Sequence, residues 1–170
     1  MQSQDIQTKP YSAMPDDAVS PPPGLKSIGH DGFLKTLSKE AISVIAAHYG
    51  KPGTPIIQIR SLGGALARVS PQATAFAHRE NEVLVIMAAF GPASAPEEQA
   101  QHIRQAAWSP LAPLTNGAYG NFLSDASEAS VAAAYPSATY ARLASIKAIY
   151  DPDNVFNQNQ NIKPAVNTQA

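Results

Sequence analysis

Apolar residues recur along this chain with different periods, and each period predicts an element. From Ser38, the residues Ile42, Ile45, Ala46 and Tyr49 return at i, i+3, i+4 and i+7, the spacing of one helix face. Ser38 can cap that helix and Gly50 can close it, before Lys51-Pro52 forbids continuation. Pro55 to Ser61 alternates instead, with Ile57 and Ile59 on one side and Gln58 and Arg60 on the other, which predicts a half-covered strand ahead of a Gly63-Gly64 turn. Ala73 to His78 alternates small Ala73, Ala75 and Ala77 with Thr74, Phe76 and His78. Through Arg79-Glu80-Asn81-Glu82 it leads into the apolar run Val83 to Phe90, and the two stretches together predict an antiparallel pair.

Further along, Ser94 and Glu97 have the spacing of a capping box, opening a helix with Ala100, Ile103 and Ala107 on its inner face and Ser109-Pro110 as its stop. A short strand is expected over Ala118 to Leu123. A third helix runs from about Ser137 to Tyr150, burying Tyr140, Leu143, Ile146 and Tyr150, until Asp151-Pro152 breaks it. The Asp and Asn side chains after it can bond nearby amides, and Phe156 can pack back as an anchor. The order α, β, β, β, α, β, α favours an α+β fold, an antiparallel sheet with helices packed on one face. Residues 1–24, polar and rich in proline, read as a disordered or extended tail, and 166–170 as a second one.

Composition narrows the class. With 170 residues, 44% of them apolar, the chain can build one core. Twelve basic residues against 13 acidic ones leave a net charge of -1, which argues against a nucleic-acid partner. The run from Val83 to Phe90 is too short to cross a bilayer, and no secretory signal is visible, so the default expectation is a cytoplasmic chain without a membrane. Without cysteine there is no disulfide, no thiolate metal site, no thiol nucleophile and no cysteinyl link to a cofactor from this chain. Histidines at 30, 48, 78 and 102 never fall at i, i+3 or i, i+4, so no metal site is expected. There is no G-x-S-x-G elbow and no P-loop, and Gly63-Gly64 lacks the third glycine of a dinucleotide fingerprint.

More specific signals lie in the last third: Tyr119-Gly120-Asn121-Phe122, Ala134-Tyr135-Pro136, Tyr140-Ala141-Arg142-Leu143, Ile146-Lys147, Tyr150-Asp151-Pro152-Asp153-Asn154-Val155-Phe156 and Asn159-Gln160-Asn161-Ile162, in that order. This order resembles the carboxyl end of the berberine-bridge-enzyme-like FAD-linked oxidases. Leu62-Gly63-Gly64-Ala65, followed by Thr74-Ala75-Phe76-Ala77-His78-Arg79, resembles the substrate-domain sheet of bacterial members of the same family. The matches run from about Gly24 to Pro164.

The resemblance implies the C-terminal portion of a vanillyl-alcohol-oxidase-type flavoprotein. Residues 25–112 would then be part of a substrate-binding domain and 113–165 a berberine-like closing segment. It also implies FAD as the cofactor of the complete enzyme, an FAD-binding domain in cis or in trans as partner, and a small-molecule substrate. Nothing in this chain resembles that FAD-binding domain, so the chain by itself is expected to be inactive. In the family the tyrosine of the Tyr-x-Asn motif faces the flavin and takes a hydroxyl proton while hydride leaves carbon, which assigns Tyr119 the role of base and gives Tyr119 and Asn121 to the cofactor. A phenol, with an ordinary pKa of ~10, does this only where positive charge or hydrogen bonds favour the phenolate, and Arg79 and the flavin's own environment are the two sources between which the sequence does not choose. Phe76, His78 and Arg79 are candidate substrate-binding residues at a pocket rim. Each also has a plainer reading: Tyr119 as a half-buried aromatic, His78 as a surface histidine, and Arg79 as the partner of Glu80 or Glu82. Gln160, Asn161 and Ile162 are expected to dock on the flavin-binding half. The competing class is a non-catalytic binding or interaction module that retains the fold.

Overall fold

The computed structural model describes residues 21–166 together with Thr8 and Pro10, so most of the two expected tails lies outside the described residues. In chain order the elements are β1 (Leu25–Leu34), α1 (Lys39–His48), β2 (Ile56–Ser61), β3 (Val83–Pro92), α2 (Glu97–Trp108), α3 (Glu128–Ala134) and α4 (Ser137–Tyr150), with single 3-10 turns at Ala112–Leu114 and Gly120–Phe122. The strands form an antiparallel sheet in the order β1-β3-β2, so the apolar run of β3 lies at its centre. Leu34 faces Val83 and Leu25 faces Pro92, while on the other side Ile57 faces Met87 and Ser61 faces Val83.

Side-chain alternation divides the sheet into two faces. One carries Ile28 and Leu34 with Val83, Val85, Met87 and Ala89, closed by Ala41 and Tyr49 of α1, Ala100 and Trp108 of α2, and Leu111. Polar ties accompany this packing: the Tyr49 hydroxyl donates to the Ala107 carbonyl at 2.8 Å, and His30 stacks on Trp108 with ring centroids 4.7 Å apart. The other face carries Phe33, Leu84 and Ile86, covered by Leu62, Phe76, Tyr119 and Phe122, all from loops. That loop-covered face is the side on which the candidate residues gather.

Several elements differ from the sequence expectation. Strand β1 is the missing partner of β3. Its Gly29 and Gly32 interrupt the apolar pattern, and packing demands them: a Cβ on Gly29 would stand 2.8 Å from the Phe122 carbonyl oxygen, and one on Gly32 2.9 Å from Trp108. Ala73 to His78 is a looped segment, not a strand, because both edges of β3 are already taken by β1 and β2. Ala118 to Leu123 is wound into the 3-10 turn, not extended. Helix α1 keeps its Ser38 cap, whose hydroxyl accepts from the Ala41 N–H, but buries Ala41 and leaves Ile42 half exposed. Helix α2 starts after Pro96 without a side-chain cap; Glu97 pairs with Arg104 instead of closing a capping box with Ser94. Helix α4 has the expected span but buries Ala144, while Tyr150 is 83% and Phe156 81% exposed, since no described element covers that end.

Candidate functional site

Residues 118–125, which carry the second 3-10 turn, are anchored from three directions. Ala118 is buried and its N–H donates to the Ala133 carbonyl at 3.0 Å, fixing the segment to α3. The Tyr119 N–H donates to Oδ1 of Asp31 on β1 at 2.5 Å. Beyond the turn, Ser124 donates to the Gly29 carbonyl at 3.0 Å and accepts from Arg104 Nε at 3.2 Å. Arg104, buried in α2, also meets Asp125 Oδ2 at 2.7 Å. Burial would raise the Asp125 pKa, but hydrogen bonds from Ser130 and Ser127 and the charge of Arg104 outweigh it and hold that carboxyl below the usual range. Loop 118–125 is therefore a braced ledge on the sheet.

The Tyr119 ring projects from this ledge, half buried. It meets Phe76 edge-on with centroids 6.0 Å apart and Phe122 at 5.6 Å. Asn121 donates from Nδ2 to the Tyr119 hydroxyl oxygen at 2.8 Å. The motif pair is thus joined through side chains, and it is the tight turn, not an extended stretch, that brings the amide round to the phenol. The guanidinium of Arg60, on β2, lies over the Phe122 ring at 5.1 Å.

The other candidates converge on the same place. Phe76 stands edge-on to both Phe33 and His78. His78 stacks on Phe33 at 4.6 Å, and its Nε2 donates to the Ala134 carbonyl at 3.1 Å. Burial lowers the pKa of His78, partly offset by the carbonyls of Ala134 and Ala133. Arg79 is buried; it donates to the Leu66 carbonyl at 3.0 Å and to Thr74 Oγ1 at 2.7 Å, with its guanidinium over Phe76 at 5.4 Å. Its Nε has no partner, and no carboxylate among the described residues pairs with it, so the plain reading as a partner of Glu80 or Glu82 is not realised. Tyr119, Phe76 and Arg79 form a continuous stack. Arg79 reaches Tyr119 through the Phe76 ring, not by direct contact.

A hollow of about 170 Å³ opens beside the phenol, its wall made of Phe76, Tyr119, Asn121, Tyr135 and Gln160 with the small residues Ala75, Ala118, Gly120 and Ala134 between them. Gln160 is held there by donating to the Asp125 carbonyl at 2.9 Å. Small residues and ring edges make up most of this wall. No lining side chain is cationic, so the phosphates of a dinucleotide are not gripped here. A larger groove of about 640 Å³ between α3, α4 and residues 157–163 contains none of Phe76, His78, Arg79, Tyr119 and Asn121.

One residue at the site escaped the sequence reading. Asp31 is completely buried beneath the Tyr119 peptide, and desolvation raises its pKa to about 7 against the lowering effect of the Tyr119 N–H. A lone carboxylate between two strand glycines was the available signal.

Residues 118–163 match the family described as berberine and berberine like. The FAD-linked oxidoreductase YgaK of Bacillus subtilis (strain 168) is 32% identical over 135 residues, covering 76% of this chain and 29% of that protein. An FAD-linked oxidoreductase of Dictyostelium discoideum is 31% identical over 150 residues, covering 86% of this chain and 32% of that protein. Among solved structures, berberine bridge enzyme from Eschscholzia californica superposes with a TM-score of 0.63 at 20% identity, over 85% of this chain and 34% of that one. An antiparallel sheet with helices on one face and the Tyr119 ledge on the other is thus a portion of a vanillyl-alcohol-oxidase-type flavoprotein fold. The chain is similar to part of the berberine-bridge-enzyme-like FAD-linked oxidoreductases, with the berberine-like segment over residues 118–163, and it spans about a third of the length of the relatives it matches.

Proposed function

We propose that the chain supplies the substrate-facing wall of an FAD-dependent oxidoreductase that oxidises an alcohol, a sugar or a similar C–H donor, with Tyr119 as its base. The observation that carries this reading is the Tyr119 hydroxyl, set on the rim of an open hollow and held there by the Asn121 amide. A base is needed where the reacting carbon bears a hydroxyl, because the O–H proton must leave as hydride departs. When bound, the flavin supplies the acceptor for that hydride. Asn121 fixes the position of the phenol oxygen by donating to it, and it is as the phenolate that this oxygen would take the substrate proton, becoming the neutral phenol. Phe76 and Tyr135 provide apolar walls that orient the substrate and exclude water, and Arg79, through its stack on Phe76, holds the ring in register.

Tyr119, Asn121 and Gln160, on the rim of the hollow, would hold the ring portion of FAD. The phosphates must be held by an FAD-binding domain, in cis or in trans. We place the docking surface for that domain on the uncovered end of α4 and the segment after it, where Ile149, Tyr150, Val155 and Phe156 are exposed together, with the Gln160-Asn161-Ile162 segment alongside. Lys147 braces this surface by reaching Asp151 at 2.6 Å and the Phe156 carbonyl at 2.7 Å, while Asp151 accepts from the Val155 and Phe156 N–H groups.

Purifying the chain alone, and co-purified with the flavin-binding part of its enzyme, tests this reading. The chain alone is expected to lose added FAD on desalting. The assembled pair is expected to stay yellow and to bleach under a hydroxyl-bearing donor. A pair that binds flavin yet is reduced by no alcohol or sugar, or a chain that folds cooperatively and binds no flavin-binding part, would support a non-catalytic module instead.

A further inference from the structure

Asp31 is the one fully buried carboxyl among the described residues, and the proposed chemistry assigns it nothing. It sits on β1 opposite Ile86 of β3, on the loop-covered face of the sheet, with no accessible surface. Its Oδ1 accepts from the Tyr119 N–H, and Oδ2 has no partner. The titratable or charged groups on the surrounding elements are His30 on β1, Arg60 on β2, Arg104 on α2, and Tyr119 and Asp125 on the ledge. None of their side chains is hydrogen-bonded or ion-paired to the Asp31 carboxyl: His30 turns to the Trp108 face, Arg60 lies over Phe122, and Arg104 is engaged by Glu97, Ser124 and Asp125. A buried carboxyl with half its hydrogen-bonding capacity unused is a costly way to satisfy one amide if that were all it did.

We propose that Asp31 is a positioning residue for Tyr119, its Oδ1 fixing the peptide N–H from which the phenol projects into the hollow. This rests on the reading of Tyr119 as the base. At 2.5 Å from the amide nitrogen, the carboxyl oxygen makes a short, directional bond. It is joined at the same residue by the Phe122 N–H, which donates to the Tyr119 carbonyl at 3.0 Å. With both ends of residue 119 fixed, the ring direction is set by a rigid strand beneath it, not by the loop alone.

Amide exchange followed by NMR on the full 170-residue chain reads the contact without flavin. In Asp31→Ala the Tyr119 N–H should exchange about 10- to 100-fold faster, the factor for leaving a buried N–H without its acceptor. The Phe33 N–H, bonded to the Asn116 carbonyl, should keep its protection and so report an intact sheet. The near-isosteric Asp31→Asn, which retains an acceptor oxygen, should recover most of the protection, while Asp31→Leu, which removes the acceptor and fills the space, serves if the alanine variant fails to fold. In the flavin-loaded enzyme, removing the acceptor should lower kcat with little change in KM and cause no further loss in a Tyr119→Phe background, and Asp31→Asn should restore most of kcat. Unchanged Tyr119 exchange where the acceptor is removed, or equal kcat losses with and without Tyr119→Phe, would overturn the proposal. If Tyr119→Phe by itself leaves turnover intact, the base assignment fails, and the exchange measurement alone decides whether Asp31 holds Tyr119 in place.

Discussion

Replacing Asp31 with Asn should change the pH dependence of stability in a direction opposite to that of most carboxylates. Burial raises the pKa of this carboxyl from an ordinary 3.8 to about 7, so the folded chain binds its proton more tightly than the unfolded chain does. Between those values the folded state holds more protons, and stability therefore falls as pH rises from about 4 to about 7. Each pH unit across that window corresponds to about 1.4 kcal/mol, so the ionised carboxyl costs on the order of 4 kcal/mol above pH 7. The side chain has no solvent exposure, so this is not discounted for screening. Urea unfolding of the wild-type chain and of Asp31→Asn at pH 5 and at pH 8 reads the difference directly. Half-buried His30 and His78, whose pKa values desolvation lowers from 6.5, titrate in both proteins and cancel in the comparison. The variant should gain on the wild type by about 2–3 kcal/mol between pH 5 and pH 8. A difference that stays constant, or that shrinks as pH rises, would refute the account of Asp31 as a desolvated carboxyl.

Gly29→Ala should destabilise the chain by roughly 1–3 kcal/mol in thermal or urea unfolding, because its Cβ would press on the Phe122 carbonyl of a ledge that Ser124 and Asp31 hold from below. Arg104→Met, which strips Asp125 of its ion pair, should cost about 2 kcal/mol, less than the ~3–5 of a fully buried pair because Asp125 keeps some access to water; urea titration measures it. Phe156→Ala and Tyr150→Ala should leave the unfolding midpoint of the chain within ~0.5 kcal/mol of wild type, since both side chains are exposed, while weakening co-purification with the flavin-binding part.

What the sequence disclosed follows from which forces act locally. The end of helix α4 was marked by Asp151-Pro152 and the start of α1 by the Ser38 cap, because caps and prolines act within one turn. The β3 run stood out through eight unbroken apolar residues. The partners of β3 did not, since pairing is a long-range choice: β1 carries glycines, a histidine and an aspartate that read as a loop, whereas the even Ala–Thr alternation at 73–78 reads as a strand that has no free edge to join. Which face of each helix is buried was legible only approximately, as Ile42 and Tyr150 show, because it depends on where the neighbours end. At the site, Tyr119 and Asn121 were found through their motif, and Phe76, His78 and Arg79 through their place in it. The stack from Arg79 through Phe76 to Tyr119, and the carboxyl of Asp31, 88 residues from the amide it holds, exist only once the sheet is assembled.

The most direct test of the catalytic reading is the rate of flavin reduction by a hydroxyl-bearing donor in the assembled enzyme, measured without oxygen for wild type and Tyr119→Phe. Loss of the base should slow reduction by ~10²-fold or more while the flavin stays bound. Reduction at the wild-type rate would contradict the role given to Tyr119.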